Sequence, residues 1–211
     1  MTAKFQLALD TTSIKKANNL AAELIDFWDI LEIGTSLLIT EGLDCVTDFR
    51  NQYRDAEILV DTKIIDNGSQ ITSAACRAGG NIVTVVSAAS NQTILECVKT
   101  AHEKNGRVLL DHIAENWSGV DLLEKSRLGV DLVGLHLPID VQSRGSIQRS
   151  EIETAIKEID IPIAIAGGIN PKIIRDLNGL NIDVFIVGGY LLNAADRIRN
   201  AKNLRLALED L

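Results

Sequence analysis

The stretch VDTKIID, residues 60–66, places Asp61, Lys63 and Asp66 close together at the end of an apolar run. A lysine among carboxylates keeps its proton, because nearby negative charge favours the ammonium form, and it can stabilise an oxyanion that develops during a reaction. The simpler alternative is a structural salt bridge between Asp61 and Lys63. Side chains alternate along a strand, so Asp61 and Lys63 share one face and Thr62 points to the other. We interpret Lys63 as an electrophile rather than a Schiff-base nucleophile.

Other apolar runs also end in side chains suited to acid–base or metal chemistry, namely Asp10, Glu32, Asp111 and His136. For each of these residues alone, a helix cap or a hydrogen-bonded structural role is an alternative. Together with Asp61 and Lys63 they indicate one polar site. Clustered carboxylates suit Mg²⁺, which takes one or two of them and leaves its other positions to water and substrate, although Mn²⁺ or Co²⁺ accepts similar ligands. We expect Glu32 and Asp61 to be the metal ligands.

Two later runs, AIAGGIN (164–170) and FIVGGYL (185–191), each end in a pair of glycines: Gly167 and Gly168, then Gly188 and Gly189. Glycine lets a backbone approach a ligand closely and expose its amide groups. Two tight turns into helices are the alternative. Backbone amides can bind a phosphate without cationic side chains, so the pattern predicts a phosphate site in an acidic protein.

These residues follow a regular alternation of apolar runs and segments with helical spacing, such as 13–26, 91–105 and 195–210. Ser13, Asn91 and Ser118 are the expected helix caps. Continuous apolar runs indicate a parallel sheet covered by helices, and eight of them predict a (β/α)8 TIM barrel in one domain, residues 1–211. An open doubly wound sheet is the alternative, but the first turn lacks its glycine-rich fingerprint. The eight runs are 5–10, 29–34, 57–62, 81–86, 107–112, 131–136, 161–166 and 183–188.

The composition excludes several classes of protein. A formal net charge of −8 disfavours general binding to nucleic acid. Cys45, Cys76 and Cys97 are widely spaced and predict buried thiols rather than disulfides or a zinc site. The first residues lack a signal-peptide pattern and no apolar stretch is long enough to span a bilayer, so we expect a cytoplasmic protein.

The chain resembles the hexulose-6-phosphate synthase branch of the orotidine monophosphate decarboxylase suite. The resemblance runs from about residue 4 to about residue 200. The Asp-x-Lys-x-x-Asp motif is specific because its surroundings match as well. The matching stretches are FQLALD (5–10), LEIGTSLLITEGL (31–43), DTKIID (61–66), NIVTVV (81–86), LHLPIDVQ (135–142), AIAGGI (164–169) and IVGGYLLNAAD (186–196).

The resemblance implies aldol addition of formaldehyde to ribulose 5-phosphate through an enediolate, with Mg²⁺ as cofactor. In this interpretation Glu32 and Asp61 bind Mg²⁺, and Lys63 stabilises the enediolate. Asp10 contacts substrate hydroxyls and Asp111 contacts substrate or metal-bound water. The four glycines bind the phosphate group. His136 is the first candidate for the base and Asp66 is the second.

The resemblance also implies a homodimer in which Asp66 reaches the active site of the partner subunit. The related 3-keto-L-gulonate 6-phosphate decarboxylase is an alternative, but it carries an arginine where this chain has Ile139. A barrel that binds a sugar phosphate without turning it over is an alternative from another class. Two departures affect the expected pocket: Leu137 and Pro138 replace Thr-Gly after the strand-six histidine, and Tyr190 replaces a small residue beside the phosphate glycines.

Overall fold

The computed structural model describes residues 3–114, 117, 120–142, 147–157 and 159–211. Within these residues, eight parallel strands form a closed barrel in sequence order, and β1 pairs with β8 to complete it. The predicted (β/α)8 barrel is confirmed, and the open-sheet alternative is wrong because the two outer strands pair with each other. The strands are β1 (Lys4–Leu9), β2 (Ile30–Ile33), β3 (Glu57–Ile64), β4 (Ile82–Val86), β5 (Arg107–Ile113), β6 (Leu132–His136), β7 (Ile163–Ala166) and β8 (Val184–Val187).

Helices connect the strands and cover the outside of the barrel. Ser13 caps α1 as predicted, whereas Ser90, not Asn91, caps α5 by accepting a hydrogen bond from the Thr93 N–H group at 3.1 Å. Ser118 lies outside the described residues. In the described part of the chain, no helix has the length and hydropathy needed to cross a membrane. The helices are α1 (Ile14–Glu23), α2 (Thr35–Glu41), α3 (Asp44–Gln52), α4 (Gly68–Arg77), α5 (Asn91–His102), α6 (Val120–Ser126), α7 (Arg149–Ile156), α8 (Pro171–Asp176), α9 (Gly189–Leu192) and α10 (Arg197–Glu209).

The apolar core consists of a large cluster between the strands and the helices and a smaller cluster inside the barrel. Cys45 and Cys97 are buried and Cys76 is half-buried, and all three are free thiols as predicted. The inner cluster includes Ile30, Leu59 and Leu109. Because side chains of a strand return to the same face every second residue, the next inward positions belong to Glu32, Asp61 and Asp111. The inner cluster therefore forms the apolar layer of the barrel interior directly below these carboxylates.

Strand β3 contains an irregularity where it carries the charged motif. Its pairing with β4 shifts between Val60 and Ile64, so that residues 61–63 lie opposite Thr84 alone. Lys63 adopts a positive φ of 44°, which is uncommon for a residue other than glycine. The Lys63 N–H group donates to Thr84 Oγ1 at 2.8 Å, and the Thr62 hydroxyl donates to the Thr84 carbonyl at 2.9 Å. These two hydrogen bonds replace the missing ladder and hold the bulge.

Candidate active site

A cavity of about 650 Å³ opens at the carboxyl ends of the strands. All six predicted ionisable residues of the strand ends line it: Asp10, Glu32, Asp61, Lys63, Asp111 and His136. The predicted glycines Gly167, Gly168, Gly188 and Gly189 line it as well. The barrel therefore brings together all the predicted site residues except Asp66.

Lys63 lies between carboxylates from two strands. Its Nζ atom donates to both oxygens of Asp61, at 2.8 and 3.0 Å, and to Asp111 Oδ2 at 3.2 Å. Burial alone would lower the pKa of Lys63, but the charges of Asp61 and Asp111 outweigh it and raise the pKa above its ordinary value. The ammonium group therefore keeps its charge, as an electrophile requires.

Asp61 is held by four donated hydrogen bonds. Besides the two from Lys63, the Thr84 hydroxyl donates to Oδ1 at 2.8 Å and the Thr35 hydroxyl lies 2.7 Å from Oδ2. Thr35 is the first residue of α2, which packs against β3. The carboxylate of Asp61 is thus fixed from three elements, and little freedom remains for it to turn away from the cavity.

His136 and Asp111 form a second pair at the mouth of the barrel. His136 Nδ1 lies 3.3 Å from Asp111 Oδ1. Burial alone would raise the pKa of Asp111, but the hydrogen bond and charge of His136 together with the charge of Lys63 lower it below its ordinary value. Asp111 therefore remains ionised and orients the imidazole through Nδ1, which leaves Nε2 for proton transfer.

Glu32 is almost fully buried beside these groups. Gln6 Nε2 donates to its Oε2 atom at 2.6 Å. Burial, followed by the charges of Asp61 and Asp10, raises the pKa of Glu32 well above its ordinary value. The carboxyl group thus lies where negative charge is concentrated, and an added cation would favour its ionised form.

Asp10 completes the acidic group at the rim of the cavity. The desolvation that surrounding protein atoms cause, and then the charge of Asp61, raise the pKa of Asp10, whereas Lys63 and His136 oppose this shift. Two glycines make room for its carboxyl oxygens: a Cβ atom on Gly34 would lie 2.4 Å from Oδ1. A Cβ atom on Gly188 would lie 2.9 Å from Oδ2. Close backbone packing therefore fixes the position of Asp10.

The glycine turns after β7 and β8 form the opposite side of the cavity. Gly167 has a φ of 109° and Gly168 a φ of 66°, values that favour glycine. A Cβ atom on Gly167 would lie 2.5 Å from the carbonyl oxygen of Leu137, so the loop after β6 packs directly on this turn. In the described part of the chain, the N–H groups of Gly168 and Gly189 donate to no other protein group. These amides are available to a ligand.

Asp66 lies outside the cavity of its own chain. Its side chain is exposed, and its Oδ1 atom accepts a hydrogen bond from the Asn67 N–H group at 2.7 Å. The third charge of the motif is therefore separated from the first two. Its predicted role in the active site of a partner subunit remains a prediction.

Sequence reasoning missed several polar residues that line the cavity, and three of them contact the predicted carboxylates: Gln6, Thr35 and Thr84. Gln6 shares the inward face of β1 with Asp10, and Thr84 is the polar residue within an otherwise apolar run. Both carry a signal, because a polar residue at an inward position of a buried strand needs a partner inside the barrel. Thr35 lies on a helix, and no strand rule points to it.

Comparison with known proteins finds relatives over the full length of the chain. The 3-hexulose-6-phosphate synthase of Staphylococcus epidermidis is 33% identical over 207 residues, which cover 98% of this chain and 99% of that protein. The structure of 3-hexulose-6-phosphate synthase from Salmonella typhimurium matches with a TM-score of 0.90 at 31% identity, over 98% of this chain and 99% of that chain.

A structure of 3-keto-L-gulonate-6-phosphate decarboxylase from Vibrio cholerae matches with a TM-score of 0.89 at 28% identity, over 100% of this chain and 99% of that chain. The similarity thus extends over the whole barrel in each case. The model of the orotidine 5'-phosphate decarboxylase / HUMPS family matches residues 3–204, and this chain belongs to that family.

Proposed function

We propose that this chain catalyses the reversible aldol addition of formaldehyde to D-ribulose 5-phosphate, which gives D-arabino-hex-3-ulose 6-phosphate. The observation that carries the proposal is the position of Lys63, whose Nζ atom is held by Asp61 and Asp111 at the mouth of the barrel. A fixed cation in this place stabilises an enediolate, the intermediate that an aldol addition at C1 requires. Relatives of similar length carry the synthase name.

Different residues of the site would transfer the proton, stabilise the negative charge and bind the substrate. His136, oriented by Asp111, removes a proton from C1 of the substrate, and Asp66 of the partner subunit is the second candidate for this base. Lys63 stabilises the negative charge that develops on the substrate oxygens. C1 then forms the new bond to the formaldehyde carbon, and the resulting alkoxide takes up a proton. Asp10 binds substrate hydroxyl groups at the rim.

The acidic side of the site fits Mg²⁺ as the cofactor, with Glu32 and Asp61 as its protein ligands. The raised pKa of Glu32 reflects burial and negative charge around it, which a divalent cation would offset. In the described residues, no group of three or more histidine, cysteine or acidic side chains is arranged to hold a metal. Two carboxylates with water and substrate oxygens suit Mg²⁺, whereas zinc usually takes three or four protein ligands. When bound, Mg²⁺ polarises the substrate carbonyl.

The phosphate group of the substrate binds at the two glycine turns, opposite the acidic side. The N–H groups of Gly168 and Gly189, which donate to no other group in the part of the chain that the structure describes, support this position. Gly167 and Gly188 keep the turns close to their neighbours, because a side chain on either one would collide with Leu137 or Asp10. The cavity thus separates the reacting end of the substrate from its anionic end.

Decarboxylation of 3-keto-L-gulonate 6-phosphate is the rival activity, since it also proceeds through an enediolate. Ile139 argues against it. This side chain lines the cavity and is 73% exposed, at the position where the decarboxylase carries an arginine that helps protonate the intermediate. An isoleucine cannot donate a proton.

The experiment that tests the proposal measures formaldehyde consumption by the purified protein with ribulose 5-phosphate and Mg²⁺. An EDTA-treated sample and an assay for CO₂ release from 3-keto-L-gulonate 6-phosphate run beside it. We expect metal-dependent loss of formaldehyde without comparable release of CO₂. Dominant CO₂ release would show that the decarboxylase assignment is correct. Ligand binding without either reaction would favour the non-catalytic barrel.

The chain also has features that support the proposed homodimer with shared active sites. Ile39 on α2 and Ile65 after β3 are large apolar side chains that are 79% and 55% exposed. Helix α2 packs against β3, so the two residues belong to neighbouring elements, and Asp66 follows Ile65 directly. An apolar surface of this kind would be covered in a dimer.

Mixing two inactive variants tests the shared site. In a mixed dimer of Lys63→Ala and Asp66→Ala chains, one site keeps both Lys63 and Asp66 if these residues come from different subunits. After subunit exchange, we therefore expect the mixture to recover about a quarter of the wild-type activity, as statistical pairing in a symmetric dimer requires. A mixture as inactive as its components, with exchange confirmed by mass spectrometry, would contradict the shared arrangement.

A further inference from the structure

The phosphate side of the cavity contains no cationic side chain in the described part of the chain. The basic residues that line the cavity there are Lys63 and His136, and both contact Asp111 at the acidic side. Within the described residues, neutral polar side chains are therefore the candidates for completing the coordination of an anion at the glycine turns. Backbone amides from two turns leave several phosphate oxygens without a donor.

Two side-chain carboxamides stand next to these glycine turns. Gln142 follows the short 3₁₀ turn after β6, and its Oε1 atom lies 3.6 Å from the position that a Cβ atom on Gly168 would occupy. Asn193 follows α9, and its Nδ2 atom lies 3.6 Å from the corresponding position on Gly189. Both carboxamides also line the cavity. Each glycine that offers a free N–H group thus has one carboxamide beside it.

Gln142 is held in place by its own loop. Its Nε2 atom donates to the carbonyl oxygen of Leu137 at 3.0 Å, and the same oxygen faces Gly167. A carboxamide nitrogen carries two N–H groups, so one remains for a ligand. The loop after β6 therefore fixes the carboxamide of Gln142 beside the turn after β7. Its Oε1 atom is the one nearest Gly168, and the second N–H group of Nε2 is the donor that a ligand can reach.

We propose that Gln142 and Asn193 are direct ligands of the substrate's phosphate group and add neutral hydrogen-bond donors to the two glycine turns. The inference rests on the proposed function in one respect, namely that the phosphate belongs to a sugar phosphate. Neutral donors suit a protein with a formal net charge of −8, because the site depends on short hydrogen bonds rather than on a long-range positive potential. Because these donors contact the phosphate directly, a negative side chain at either position should weaken phosphate binding.

Calorimetric titration with inorganic phosphate tests the inference without any turnover. Gln142→Glu and Asn193→Asp keep the size of each side chain but replace a donor with a negative charge. Asn203→Asp is the matched control, since Asn203 lies on α10 and lines a separate surface depression beyond Tyr190. We expect each of the first two variants to weaken phosphate binding at least about tenfold, and the control to stay within about twofold, because like charges in contact repel strongly.

Equal phosphate affinity in all three variants would overturn the inference, and so would a wild-type protein that binds no phosphate at millimolar concentration. If a charged variant unfolds, Gln142→Met and Asn193→Ala remove the donor without adding charge, and weaker phosphate binding is again expected. Formaldehyde consumption is measured separately on the wild-type protein. A protein that binds phosphate through these residues but consumes no formaldehyde would contradict the proposed function and leave this inference intact.

Discussion

The two ends of the barrel use the same residue types in opposite ways. At the amino ends of the strands, the residue directly before each even-numbered strand accepts a hydrogen bond from the N–H group of a residue in the preceding strand. It also donates its own N–H group to the carbonyl oxygen of that residue, as Asp183 does with Ile163 at 2.8 and 2.9 Å. The four pairs are Asp29 with Phe5, Asn81 with Ile58, Asp131 with Val108, and Asp183 with Ile163.

At the carboxyl ends, by contrast, the carboxylates face one another. Asp10, Glu32, Asp61 and Asp111 surround Lys63 and His136. Desolvation and acidic neighbours raise the pKa values of Glu32, which is buried, and of Asp10, which lies at the rim. At the amino end, Asp29, Asp131 and Asp183 instead each have their own backbone donor. Asp29 and Glu57 have cationic partners. The paired charges at the amino end are typical of groups that stabilise the fold. The crowded carboxylates at the carboxyl end are typical of a site that binds a ligand.

Replacing one lysine at each end of the barrel should give the largest difference in turnover between the two ends. Lys63→Ala removes the cation from the mouth, and we expect turnover to fall by about 10³-fold because the developing oxyanion loses its main donor. Lys4→Ala at the amino end breaks an exposed ion pair with Glu57 and should change turnover less than about twofold. Steady-state kinetics on both variants measures the difference. Similar losses of turnover in the two variants would remove the distinction between the two ends.

Glu32→Gln should reduce turnover by about 10²-fold if Glu32 and Asp61 are the two metal ligands, as proposed. It should also change how stability depends on pH. In the metal-free wild type, the raised pKa of Glu32 means that the folded state holds a proton that the unfolded state has lost. Stability is therefore complete below the unfolded-state pKa and decreases as pH rises towards the raised value.

Urea unfolding of EDTA-treated protein across this pH range measures the effect. The variant carries no ionisable group at position 32, so its stability should decrease less with rising pH than that of the wild type. Asp10 keeps a contribution of the same sign in both proteins. If the stability of wild type and of Glu32→Gln depended on pH in the same way, the raised pKa of Glu32 would be contradicted.

Asp183→Ala should affect stability but not turnover. The Ile163 N–H group would lose its acceptor in a partly buried position, which costs about 1–2 kcal/mol of unfolding free energy. Asp183→Asn is the matched control, because Asn81 fills the equivalent position before β4 with a carboxamide. Chemical denaturation and kinetics of both variants give the comparison. An active-site defect in Asp183→Ala would show that the two ends are coupled.

The sequence predicted the eight strands because each is a continuous apolar run, and it predicted the convergence of the charged residues because five of these runs have an ionisable side chain at the end. It did not predict the bulge in β3. The alternation rule placed Asp61 and Lys63 on one face, and both do line the cavity, but Lys63 reaches it through a positive φ and a hydrogen bond to Thr84. A bulge depends on the partner strand, and the sequence of one strand alone does not contain that information.

The supporting polar residues could be predicted only in part. Gln6 and Thr84 interrupt apolar strands at inward positions, a pattern that the sequence displays. Thr35 and Asn193 depend on how a helix packs against a neighbouring strand end or turn, and local spacing does not reveal this. The contact of His102 Nε2 with Asp131 Oδ2 at 3.0 Å links α5 to the amino end of the barrel, and it too depends on tertiary packing.

The most direct test of the central claim is exchange of the C1 protons of ribulose 5-phosphate with solvent. The protein is incubated with the sugar phosphate and Mg²⁺ in D₂O without formaldehyde, and the C1 signals are followed by NMR. If the mouth of the barrel stabilises an enediolate, one C1 proton should exchange with the wild type and with Lys4→Ala, and not with Lys63→Ala. Formaldehyde consumption by a protein that exchanges no C1 proton, or equal exchange with Lys63→Ala, would contradict the account.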